Sequence, residues 1–146
     1  MNRYCISGEK DVVASMLISH ALKAQKDGPV FFIDAGGCFQ KHFLKHSYLR
    51  KFPRSLENIK VAYPATVYEL KASVAFLHDT ADASAHTTII LSPPGDLFSD
   101  EPEMEGIWKD IIAEVIGVSD KMKCSLIIGH NPGMKKEEVS LPVYEV

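Results

Sequence analysis

Four groups of residues in this 146-residue chain have the types and spacing to do chemistry. The first is Ser7-Gly8-Glu9-Lys10-Asp11, which sits between a segment that reads as a strand and one that reads as a helix. A loop that cradles phosphate needs glycines, so that backbone N–H groups can wrap the oxygens. It also needs a Lys for the β/γ charge and a Ser or Thr hydroxyl for Mg²⁺. Gly8 and Lys10 are in place, but the second glycine is missing and Asp11 stands where the hydroxyl belongs. The loop is also too short, and Glu9 puts negative charge where phosphate would sit. These residues read better as a tight strand-to-helix turn with acids at the helix N-terminus. The second group is a basic stretch from Ala35 to Leu56 that holds no Asp or Glu. In it Lys41, Lys45, Arg50, Lys51 and Arg54 are interleaved with Phe39, Phe43, Tyr48 and Phe52. Cations beside exposed aromatics suit a nucleic-acid backbone and stacked bases; a solvated helix with its aromatics in the core is the simpler reading. The third group is Cys38, His42 and His46, spaced by four as zinc ligands on one helical face would be. No fourth ligand is evident, so no metal is expected. The fourth is His130, in the turn Gly129-His130-Asn131-Pro132-Gly133.

The elements that must position these residues alternate in type. Arg3–Ser7 reads as a strand and Asp11–Lys26 as a helix, with Val13, Met16, Leu17, Ala21 and Ala24 at spacings of three and four. Gly28-Pro29 ends the helix. Val30–Ile33 is a continuous apolar run, as a parallel strand buried on both faces requires. Ile59–Ala62 is the next strand. A helix over Thr66–His78 follows, with Val67, Leu70, Val74 and Leu77 on one face and a capping-box spacing between Thr66 and Glu69. Thr87–Leu91 is a strand, Pro102–Ser119 a helix with a stripe through Trp108, and Cys124–Ile128 the last core strand, ended by Gly129. In the tail from Pro132 onward, Glu138–Glu145 is at most an edge strand, because Pro142 cannot donate to a ladder. The order predicts one α/β domain over residues 1–146, a three-layer sandwich with a mostly parallel sheet of about five strands. Ligands in such folds lie at the carboxyl ends of the strands.

Composition narrows the class. Hydrophobic residues make up 46%, enough for a core, and mean hydropathy is −0.02. No apolar stretch is long enough to span a membrane, and the N-terminus lacks the apolar run of a secretory signal. Three widely spaced cysteines argue against a disulfide framework and for a reducing cytoplasm. The net charge of −3 selects no partner class, but the basic stretch carries five positive charges within it.

In their order, the segments resemble the core of the RecA/RadA-type recombinase ATPases, particularly their short archaeal paralogues. Phe32-Ile33-Asp34-Ala35-Gly36-Gly37-Cys38-Phe39 is similar to that family's F-I-D-T-E-G-T-F. Asn58-Ile59-Lys60-Val61-Ala62-Tyr63-Pro64, leading into Glu69-Leu70, resembles its next strand and helix. Ile89-Ile90-Leu91-Ser92 through Leu97-Phe98 is similar to its Walker B strand, and Ile127-Ile128-Gly129-His130-Asn131 to its later strand. The resemblance covers about 130 residues and implies a P-loop NTPase fold with a RecA-like core. It would place a degenerate nucleotide site at Gly8, Lys10, Asp11, Asp34, Ser92 and Asp96. The family's catalytic Glu falls on Gly36, which cannot polarise a water. Its Walker B Asp falls on Ser92, and a neutral hydroxyl does not orient Mg²⁺. The resemblance therefore implies no catalytic residues, disfavours ATP and Mg²⁺ as cofactors, and points to a binding or regulatory module in DNA recombination or repair. DNA, a recombinase-like protein or a second copy of the chain are the partners expected.

Two enzymatic readings stand beside it. One is a residual nucleotide-binding ATPase resting on Lys10. The other follows from the His130 turn, which resembles the G-H-N-P-G turn of small histidine phosphatases. That chemistry needs a nucleophilic His in an Arg-His-Gly turn after the first strand, where this chain has Ile6-Ser7-Gly8.

Overall fold

The computed structural model describes residues 2–37, 58–79, 86–94, 102–130 and 140–146, and the side chains of the last helix from 106 onward. The elements are β1 (Arg3–Ser7), α1 (Lys10–Ala24), β2 (Val30–Ile33), β3 (Ile59–Ala62), α2 (Val67–His78), β4 (Thr88–Leu91), α3 (Pro102–Met122), β5 (Ser125–His130) and β6 (Val143–Glu145). The six strands form one sheet in the order β3-β2-β4-β5-β1-β6, and every pair is parallel. The α/β class and the parallel sheet expected above are therefore present.

Alternate residues of each strand point to opposite faces, and both faces are covered, which is why the central strands are apolar throughout. On one face Val13, Leu17, Ile18, Ala21 and Leu22 of α1 pack over Ile6, Val30, Phe32, Ile90 and Ile127. On the other, Leu70, Val74 and Leu77 of α2 and Trp108, Ile111, Ile112 and Val115 of α3 pack over Cys5, Ile33, Ile89, Leu91, Leu126 and Ile128. The division follows from chain direction. From β1 to β2 the chain moves across the sheet one way, with α1 on one face. From β3 to β4 and from β4 to β5 it moves back, with α2 and α3 on the other, as connections of a single hand require.

Several boundaries differ from the sequence reading. β5 runs on through Gly129 to His130. Gly129 is not a breaker: a Cβ there would lie 2.6 Å from Pro93 Cδ and 2.8 Å from Leu17 Cδ1, so the glycine serves close strand–helix packing. α3 extends to Met122, where Lys123 adopts φ 54° and turns the chain. The Ser119 hydroxyl then donates to the Cys124 carbonyl at 2.7 Å, and Cys124 N–H donates back to Ser119 O at 3.2 Å, closing the turn into β5. β6 is three residues long, lies parallel beside β1 and begins just after Pro142, whose carbonyl accepts from Cys5 N–H. At the start of α2, Thr66 Oγ1 accepts from Glu69 N–H, but the Glu69 carboxylate reaches Ala65 N–H rather than that of Thr66. No helix among the described residues is long and apolar enough to cross a membrane.

Candidate functional site

The carboxyl ends of β2, β4, β5 and β1 are neighbours in the sheet, and each carries a buried polar residue: Asp34, Ser92, His130 and Ser7. Such residues are unusual in an interior and must be hydrogen-bonded or cost stability. The connection after β2 leaves the sheet in one direction and that after β4 in the other. A crevice of this kind is where parallel α/β sheets bind ligands. Asp34 and Ser92 stand at this point.

The register Ile33↔Leu91 brings the next residues, Asp34 and Ser92, level with each other. The ladder continues one step beyond the strands, with Asp34 N–H donating to Ala62 O at 2.8 Å and Ser92 N–H to Ile33 O at 3.0 Å. The Ser92 hydroxyl donates to Asp34 Oδ1 at 3.3 Å and accepts from Gly36 N–H at 3.1 Å. Gly37, at φ 70°, completes the turn by donating to Asp34 O. At the adjacent strand end Tyr63 is 48% exposed, and its phenol is pushed above its ordinary pKa by burial and by the Asp34 charge. Ser92 thus ties the carboxyl ends of β2 and β4 together. Its hydroxyl is wholly buried and ties Asp34 to the Gly36 backbone.

The β1–α1 turn is also occupied by the protein's own atoms. Glu9 caps α1 from an extended backbone, and its carboxylate accepts from Asp11 N–H and Val12 N–H, each at 3.2 Å. Those amides are among the donors that a helix N-terminus would offer to an anion. Lys10 and Asp11 are exposed at the first turn. Gly8 packs against the end of β6: a Cβ on it would come 2.6 Å from Val146 O, and Val146 N–H donates to Ser7 O. The glycine here makes room for backbone rather than for phosphate.

His130 is not the turn residue expected from the sequence. It lies within β5, buried, with Ser7 as its partner across the ladder. The structure therefore brings together Asp34 and Ser92, and separately Gly8, Lys10 and Asp11. Asp96, the basic residues Lys41, Lys45, Arg50, Lys51 and Arg54, and Cys38, His42 and His46 lie outside the described residues. Among the described residues, no three His, Cys, Asp or Glu side chains are gathered where they could hold a metal ion. Sequence reasoning missed the approach of Tyr63 to Asp34, although its place directly after β3 was a signal. It also missed Val146 against Gly8, for which the sequence carries no local sign. Compared with known proteins, the chain matches no family model and no curated sequence.

Proposed function

We propose that the chain is a RecA-like domain that has lost ATP chemistry and serves as a cytoplasmic binding or regulatory module in DNA recombination or repair. The observation that carries this reading is the Glu9 carboxylate on the Asp11 and Val12 amides. A triphosphate at this helix end would have to displace a bonded carboxylate and would meet its charge. Ser92 supports the same reading, because its hydroxyl is spent on Asp34 and Gly36 rather than facing a metal. The placement of Asp34 and Ser92 at neighbouring strand ends supports the family resemblance. The free, buried thiols of Cys5 and Cys124 suit a reducing compartment.

A thermal-shift titration with ATP, with and without Mg²⁺, tests the loss of nucleotide binding. A ligand at 100 times its Kd adds about 2.7 kcal/mol, which for a chain of this size raises Tm by at least about 5 °C. No rise is expected; a rise abolished by Lys10→Ala overturns the reading. The module role is tested by gel shift with single-stranded DNA at low salt and by co-sedimentation with a recombinase ATPase. Binding to at least one is expected, and failure of both removes that role.

A further inference from the structure

Helix α2 and the β2–β3 margin of the sheet do not close on each other. A cavity of about 380 Å³ lies between them, bordered by Phe31 and Ile33 of β2, Lys60 and Ala62 of β3, and Ala72 and Ser73 of α2, among others. The register sets Phe31 beside Lys60 and Ile33 beside Ala62. Ile33 belongs to the core under α2, so all four side chains share the face that α2 covers. Close-packed interiors leave few gaps larger than a water molecule. This one follows from size, because Ala62, Ala72 and Ser73 are small where helix and strand face each other. The effect shows at Phe31, which is only partly buried although β2 has a strand on either side.

The charge at this cavity identifies the occupant. Among the described residues that border it, Lys60 alone is charged, and the other side chains are apolar except Ser73. The Lys60 ammonium stands 5.7 Å from the centre of the Phe31 ring, whose quadrupole holds it over the cavity floor. Among the described residues no carboxylate forms an ion pair with it. The Ser73 hydroxyl donates to Glu69 O at 2.9 Å, which leaves the ammonium as the side-chain donor for an anion. The volume falls within the range of small-molecule sites. At roughly 30 Å³ for each water-sized group it holds about a dozen heavy atoms, which is one small molecule rather than a length of polypeptide. The complement of such a site is an apolar body with a single anionic head.

We propose that this cavity binds a small organic acid, a chain or ring of up to about ten carbons that carries one carboxylate. The apolar part lies over Phe31 and between Ala62 and Ala72, and the carboxylate pairs with the Lys60 ammonium. The site is bordered by neither Asp34 nor Ser92, and the inference does not rest on the function proposed above.

Amide NMR titrations of the full chain with octanoate, octan-1-ol and octylammonium, up to millimolar concentration, test the proposal. The three probes share one apolar chain and differ in the charge of the head. Octanoate is expected to give saturable shifts centred on Phe31, Lys60 and Ala72, and to bind about tenfold or more tightly than the alcohol, as a hydrogen bond to a charged group requires. Octylammonium should bind no better than the alcohol. Lys60→Met keeps the apolar stem at an exposed position and should remove the preference for octanoate. Ala62→Leu fills the cavity and should abolish binding. Ala72→Leu, at an exposed helix position, should do the same if Ala62→Leu disturbs the sheet, and circular dichroism checks that each variant folds. Octanoate without saturable shifts at these residues overturns the proposal, and so does equal affinity for the three heads, which an apolar patch alone would give. A preference for octanoate that survives Lys60→Met, or binding that survives both folded leucine variants, overturns it as well.

Discussion

The Ser92 hydroxyl and the Asp34 carboxylate meet at 3.3 Å although 58 residues separate them in the chain. The same hydroxyl accepts from Gly36 N–H, so one small side chain fixes both the acid and the turn behind it. Ser92→Ala removes both bonds inside a buried site and is expected to cost about 1–3 kcal/mol. Urea unfolding would read this as a lower midpoint at an unchanged m-value. A loss below about 0.5 kcal/mol, the size of an ordinary surface substitution, would show that the tie contributes little.

Glu9→Ala takes the cap from α1 and leaves the Asp11 and Val12 amides to water. Loss of an N-cap acceptor costs about 1 kcal/mol, so a fall in Tm of about 2–4 °C is expected. Glu9→Ser keeps an acceptor at the cap with a preferred residue type and should recover most of the loss. Differential scanning calorimetry of the two variants beside wild type checks both halves.

Two glycines should respond in opposite senses to the same added methyl. At Gly129 the new Cβ meets Pro93 and Leu17, and overpacking should destabilise by about 1–3 kcal/mol. At Gly117, exposed within α3, a Cβ meets nothing within 4 Å. There Ala should stabilise by about 0.5–1 kcal/mol through helix propensity. Denaturant curves of the two single variants decide it.

Lys123 holds a left-handed backbone at φ 54° where α3 gives way to β5. This conformation costs an L-residue roughly 1–2 kcal/mol and costs glycine little. Lys123→Gly is expected to raise stability by about 0.5–1 kcal/mol, the part of that strain not offset by glycine's greater freedom in the unfolded chain. A lower Tm for this variant would contradict the account.

Cys5 and Cys124 should be inert in the folded protein. Both are fully buried. Burial pushes the Cys5 thiol up to about 12 and raises that of Cys124 as well. At pH 8 neither should react with iodoacetamide until urea unfolds the chain, as peptide mass mapping would show. The sign of the pH effect follows. A folded pKa above the unfolded value of about 9 leaves this stability intact below pH 9. It is lost progressively as pH rises toward 12, because only the unfolded chain releases the Cys5 proton readily.

The core elements could be read from the sequence because each states its own burial. Val30–Ile33 and Ile89–Leu91 are apolar at every position, and such runs fit only a strand covered on both sides. The acid at Glu9 was visible too, as a charge misplaced for phosphate. Gly129 misled because a glycine that ends a strand and one that lets a helix come close look alike in one dimension. The link from Ser92 to Gly36, like that from Val146 to Gly8, is tertiary, and no local pattern encodes it.

The place of β1 in the sheet has a consequence for how the protein is made. β1 lies between β5 and β6, and Asn2 N–H, at its start, bonds Ser125 Oγ, 123 residues further on. During synthesis the strand leaves the ribosome long before either neighbour exists, so its ladder groups stay unpaired until β5 and β6 have been made. Closure of the sheet around β1 is slowed by the chain entropy of bringing together residues so far apart in sequence. Until then a strand with two open edges is the sort of segment that chaperones shield.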